Sequence, residues 1–260
     1  MSIWTRSRAM NKLKNCRDLH YLRGSVRVKK GLIVRSGVLC GLSRSAMKRL
    51  NGMGLDEIVD LRSPEEIEAK PDDKSAVPYV IAPFRDPFFV QEPDGVDRYA
   101  LRTYWEHRRC GKAFAEHEYE FYCNTYARHL HNNEGIRELL RLMVEGRAFL
   151  FHCHGGKDRT GVCAALILGL LGFSKKEIAR DYLRTNRPLF YLACRYGLRL
   201  LGFNRFGIQT VMYNTFAMEE LLDACFTEIE TGYGSVPAFL RREYGLTDEQ
   251  AARIRAFYLE

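Results

Sequence analysis

Ala148-Phe149-Leu150-Phe151-His152-Cys153-His154-Gly155-Gly156-Lys157-Asp158-Arg159-Thr160-Gly161 runs from an apolar strand through a glycine-bearing loop into an apolar helix, and this order decides the fold. Ala148–Phe151 is a short continuous apolar run, as a strand buried on both faces should be. Thr160 to Gly172 reads as the helix that follows. A glycine-bearing loop entering a helix N-terminus is a place where an anion binds, because unpaired N–H groups and the helix dipole both point there.

Within the loop, Cys153 and Arg159 enclose five residues, two of them glycine, and Thr160-Gly161 follows at once. A loop of this length can turn successive backbone N–H groups inward, with Gly155 and Gly156 permitting unusual φ values and close approach. His154, Gly155, Gly156, Lys157, Asp158 and Arg159 then form a cradle for a tetrahedral dianion. The planar fork of Arg159 holds two oxygens at once, which a lysine does less well. The helix dipole, the N–H cradle and Arg159 all favour the thiolate of Cys153, making it a nucleophile. Thr160 is placed to donate its hydroxyl to the sulfur, and His152 to order the loop through hydrogen bonds. Alone, Cys153 would read as an ordinary buried thiol; the whole string between a strand and a helix does not.

Outward from the loop, Ile33–Leu39, Glu57–Arg62 and Val77–Ile81 read as further strands. Ser43 caps a helix to Met53, Pro64 opens one before Glu65-Glu66, and Ile136, Leu139, Leu140 and Met143 mark an amphipathic helix over Gly135–Val144. Helices follow at 175–185, 215–230, 236–243 and 248–258, the last capped by Thr247 or Asp248. Between about 84 and 131, aromatic residues from Tyr99 to Tyr126 mix with charges, and this segment reads as a largely helical insertion; a lid over the pocket, which the mixed charge favours, contact with a membrane surface and plain core packing all stay open for it. The expectation is one α/β domain over 1–260, with a central, mostly parallel sheet flanked by helices and a helical C-terminal tail.

Composition bounds the partners. An apolar content of 46% supports a packed core. The net charge of +8 attracts anionic partners, but no basic run resembles a nucleic-acid-binding tail, so nucleic acid is not expected. Eight cysteines without a C-x-x-C pair point to a reducing, cytoplasmic setting rather than a disulfide framework. The longest apolar run, Val162–Phe173, is too short to span a bilayer, so no integral membrane segment is expected. His107, Cys110, His117, Cys123, His129 and His131 do not follow a usual zinc spacing, and neither metal nor cofactor is expected. The sequence leaves oligomeric state open.

The loop resembles that of the bacterial tyrosine phosphatases of the dual-specificity-like branch, His-Cys-x-Ala-Gly-Lys-Asp-Arg-Thr-Gly. Asn15-Cys16-Arg17-Asp18-Leu19, Arg35-Ser36-Gly37-x-Leu39, Asp60-Leu61-Arg62-Ser63-x-x-Glu66, Thr185-Asn186 and Gly245-Leu246-Thr247 are also similar to that family's segments. Two departures stand out: His20-Tyr21 where the family has Gly-Gly, and Gly155 for its alanine. The resemblance implies a cysteine-phosphatase fold and a phosphocysteine intermediate. Its substrates would be phosphotyrosine, with phosphoserine, phosphothreonine or inositol phospholipids beside it. The leaving oxygen needs an acid. Asp86, in Ala82-Pro83-Phe84-Arg85-Asp86-Pro87, is the first candidate; Asp158 is its rival, with Asp94 and Asp97 behind. Lys157 offers a cation for a second phosphate, and His154 a further charge at mildly acidic pH. Three other readings stay open: a phosphoinositide-selective enzyme, a phosphate-binding module without turnover, and a redox sensor with Cys163 or Cys40 as resolving thiol.

Overall fold

The apolar runs become strands in the computed structural model of the chain, which describes residues 13–84, 111–186 and 204–260. These are β1 (Arg17–Asp18), β2 (Ile33–Ser36), β3 (Glu57–Asp60), β4 (Tyr79–Ile81) and β5 (Phe149–His152), in the order β1-β2-β5-β3-β4. β2, β5, β3 and β4 are parallel, and only β1 runs antiparallel to its neighbour. Ser36 and Asp60 both pair with His152, so three strands end level and the loop-bearing strand lies between the other two. Ligands of open parallel sheets bind at such carboxyl ends.

Alternation along the strands feeds two cores. Ile33, Val59, Phe149 and Phe151 join the larger, with α4 (Glu134–Val144), α5 (Asp158–Leu171), α6 (Lys175–Arg184) and the C-terminal helices. Val34, Ile58 and Leu150 face the other way, against Ala46 and Leu50 of α1 (Arg44–Asn51). α5 is apolar nearly all round, which suits a helix enclosed on every side. Each of its buried leucines contributes about 1.5–3 kcal/mol through lost apolar exposure. The remaining helices are α2 (Pro64–Ala69), α3 (Lys112–Arg128), α7 (Arg205–Thr215), α8 (Glu219–Tyr233), α9 (Val236–Tyr244) and α10 (Asp248–Tyr258).

Several boundaries differ from the sequence reading, each for a local reason. β2 stops at Ser36 rather than Leu39, because Gly37 N–H turns to Lys14 O and Val38 N–H to His154 O. β3 stops at Asp60, whose carboxylate accepts from the N–H of Arg62 and folds the chain into a turn. α7 was not foreseen: Gly207 and the β-branched Ile208, Thr210 and Val211 weaken its helical signal, although Asn204 caps it by accepting from Gly207 N–H. Of the aromatic segment, α3 is helical; residues 85–110, and Asp86, Asp94 and Asp97 with them, lie outside the described residues.

Candidate active site

Cys153 follows β5 directly and is buried at the base of the loop. The loop ends where α5 begins at Asp158, with Lys157 in the N-cap position and no side-chain cap bond. Its carbonyls are drawn off to one side. His154 O accepts from Val38 N–H at 3.1 Å. Gly156 O accepts from Asn15 Nδ2 at 2.8 Å and from Arg35 Nη2 at 2.9 Å. The two glycines differ. Gly156 has φ +64°, and a Cβ there would lie 2.4 Å from Ser36 O, whereas a Cβ on Gly155 would meet nothing nearer than 3.7 Å. Only Gly156 requires glycine, and Gly155 has room for the alanine that the resembling family carries.

Arg159 is buried, and its fork is aligned by Glu66: Nη1 lies 2.5 Å from Oε2 and Nη2 2.8 Å from Oε1. Glu66 also belongs to the capping box of α2, accepting from Ser63 N–H at 3.0 Å while Ser63 Oγ accepts from Glu66 N–H. Burial works against the Glu66 carboxylate, but Arg159 outweighs it and holds the carboxyl below its ordinary range. The Thr160 hydroxyl is buried without a hydrogen-bond partner among the described residues. Such a group is rare in a folded protein and stands out at the start of α5.

Lys157 Nζ lies 3.3 Å from Asp158 Oδ2 and donates to Phe216 O at 3.3 Å. Burial lowers its ammonium to about 8, which leaves it largely charged at neutral pH. Asp158 also interacts with the buried hydroxyl of Tyr182. His154 as a residue is exposed, yet partial desolvation of its ring, followed by the nearby Lys70, pulls it down to about 4. This lowering works against the charge that the sequence reading expects there at mildly acidic pH.

Beneath Cys153, His152 Nδ1 lies 3.3 Å from Cys153 O, and Nε2 lies 3.2 Å from Asp72 Oδ2, near in distance but off the hydrogen-bond line. Asp60, Asp72 and His152 bring ligand-type atoms within 4.8 Å of one another, as a cation site would. Arg62 already stands there, with Nη2 2.6 Å from Asp60 Oδ2 and 2.8 Å from Asp72 Oδ2. The guanidinium supplies the positive charge these carboxylates need. Of the residues considered for zinc, His131 lies between Glu228 at 3.3 Å and Glu243 at 3.2 Å.

Sequence reasoning assigned no role to Glu66, Asp72, Arg35 or Asp181. Signals existed for three of them: the Ser63-x-x-Glu66 capping box, an arginine inside the apolar β2, and Asp181 on the buried face of α6 beside Ile178 and Tyr182.

A parallel sheet whose central strand delivers a cysteine into a loop ending on an arginine defines a phosphatase of the cysteine-loop kind, and the chain belongs to the tyrosine phosphatase family, which it matches over residues 8–260. It is thus a phosphatase, acting on phosphorylated substrates. Among curated relatives it is 29% identical to a protein of Cupriavidus necator provisionally named a tyrosine-protein phosphatase, over 96% of this chain and 88% of the relative. It is 25% identical to the triple specificity protein phosphatase PtpB of Mycobacterium tuberculosis, over 89% of this chain and 92% of that protein. A tyrosine-protein phosphatase of Nostoc commune shares 57% identity over 35 residues, 14% of this chain and 12% of its own. Among the described residues, no helix is long and apolar enough to cross a membrane.

Proposed function

We propose that this tyrosine phosphatase works by covalent catalysis at Cys153, with phosphoserine and phosphothreonine as further protein substrates. Cys153 Sγ attacks phosphorus, the P–O bond to the substrate oxygen breaks, and an acid protonates that oxygen. Water then attacks the phosphocysteine, releasing inorganic phosphate and the thiolate. Arg159 and the loop N–H groups hold the equatorial oxygens, whose charge is spread in the transition state. Thr160 assists departure of the sulfur. The observation that carries the reading is the Arg159 fork, buried and aligned by Glu66 at the end of a loop whose carbonyls are bonded elsewhere.

Asp86 is the proposed acid. Ala82 N–H and Phe84 N–H bond to Asp60 O and Leu61 O, so the chain reaches residue 84 at the loop end of the sheet. Asp158 is already the ion-pair partner of Lys157, which suits ordering of the loop better than proton donation. Inositol phospholipids are a second substrate reading, supported by the Lys157 ammonium, which adds a cation to the loop beside its ion-pair partner Asp158. The name of the mycobacterial relative, a triple specificity phosphatase, supports breadth of substrate.

The test is turnover of phosphotyrosine and phosphoserine peptides and an inositol-lipid panel by the parent, Cys153→Ser, Asp86→Ala and Asp158→Asn. Cys153→Ser should lose at least about three orders of magnitude in kcat. Full activity in that variant would refute covalent catalysis at Cys153. Loss in Asp158→Asn with Asp86→Ala unaffected would move the acid to Asp158.

A further inference from the structure

Behind the loop, charged groups occupy positions where apolar side chains would be easier to bury. Arg35 lies within β2, paired with Phe151 of β5, and is 0% exposed; Asp181 of α6 is 1% exposed. Removing such ions from water costs several kcal/mol each, and their mutual attraction often does no more than offset it. Stability alone therefore does not account for the cluster.

Its geometry does. Arg35 Nη1 lies 2.5 Å from Asp181 Oδ2, while Nη2 donates to Gly156 O at 2.9 Å. The other Asp181 oxygen accepts from Arg17 Nε and from the Tyr21 hydroxyl, each at 2.7 Å. Arg17 Nη1 reaches Asn15 Oδ1 at 2.5 Å, and Asn15 Nδ2 is the second donor to Gly156 O. A Cβ on Gly161 would come within 3.7 Å of Arg35 Nη2, so the guanidinium lies against the first turn of α5 as well. Two arms of this network, through Arg35 and through Arg17 and Asn15, meet on the Gly156 carbonyl, while Arg17 Nη2 also ties to Asp181 O at 2.8 Å and to Thr185 Oγ1 at 3.2 Å.

We propose that Arg35 and Asp181 are positioning residues for the phosphate loop. Asp181 fixes the Arg35 guanidinium, and the guanidinium holds the Gly156 carbonyl away from the bound anion. Released, that carbonyl needs only a rotation of its peptide plane to set partial negative charge against a phosphate dianion. The cluster also carries two guanidiniums against one carboxylate, and that excess charge favours an anion nearby. Bridging and charge are separable: a lysine keeps the charge but cannot span Asp181 and Gly156 with two fixed N–H groups.

The inference rests on the phosphatase reading of the loop but is tested by binding. Inorganic phosphate is titrated calorimetrically into the full chain carrying Cys153→Ser, alone and combined with Arg35→Lys or Asp181→Asn, with Tm measured alongside so that only folded protein is compared. Arg35→Lys should raise Kd on the order of tenfold, the loss of one charge-assisted hydrogen bond, and Asp181→Asn about fivefold. In chains with Cys153 intact, each substitution should lower kcat/KM for p-nitrophenyl phosphate by a similar factor, with Arg35→Lys no better than Arg35→Met. A folded Arg35→Lys whose Kd stays within about twofold of its parent overturns the proposal. Should that variant not fold, Asp181→Asn decides by the same criterion. Phosphate binding without turnover in the native chain would overturn the catalytic reading and leave this inference standing, whereas absence of phosphate binding would overturn both.

Discussion

Adjacent glycines make opposite demands. Gly155 has ordinary backbone and open space, so Gly155→Ala should leave Tm unchanged or slightly raised, through a less flexible unfolded chain. Gly156→Ala places a methyl group 2.4 Å from Ser36 O at φ +64°. It should cost at least about 2 kcal/mol, measured by denaturant unfolding, and lower phosphate affinity with it. The sequence shows that two glycines sit in a tight loop. It does not show which of them abuts β2, because that depends on Ser36 and Gly37 arriving beside the loop from more than a hundred residues away. Cys153, Arg159 and Thr160 stand out as candidates because their spacing is local; Glu66 and Asp181 received no role because their partners are distant in sequence.

At the scale of elements, the cap of α2 is also part of the site. Ser63 holds Glu66 through a reciprocal box, and Glu66 aligns Arg159. Ser63→Ala should therefore cost about 1 kcal/mol in stability and also lower kcat/KM about threefold, a coupling that an isolated helix cap would not produce. Comparing Tm with steady-state kinetics at a temperature where the variant is fully folded separates the two effects. The strand–loop–helix order, the cap at Ser43, Pro64 at the start of α2 and the amphipathic α4 were readable from periodicity and turn chemistry, while of Thr247 and Asp248 it is Thr247 that caps the last helix. β1 was not, since a strand of two residues has no period to read and exists only because β2 offers an edge.

For the whole molecule, the Asp181 cluster ties acid stability to the active site. Burial alone would raise the Asp181 carboxyl, but Arg35 and then Arg17 more than reverse this and hold it at about 2, against an ordinary 3.8. Because the folded value lies below the unfolded one, this stabilisation is fully present above about pH 4 and lost as pH falls toward 2. In urea unfolding across that range, Asp181→Asn should be less stable than the parent at neutral pH and show a flatter decline on acidification. The strand order was beyond sequence reading, since hydrophobic pattern says which residues are buried but not which strand lies between two others.

The supports of the loop come from far along the chain. Asn15 and Gly156 are 141 residues apart, Arg35 and Gly156 are 121, Glu66 and Arg159 are 93, and Arg17 and Asp181 are 164. Each contact closes a long loop whose entropy must be lost before the contact contributes anything, so these interactions form late in folding. During synthesis, Cys153 is added to the chain before Asp181, which anchors what lies behind it. The proposed nucleophile is thus made before the last support of its loop, and the onset of activity would report that contacts spanning up to 164 residues have closed.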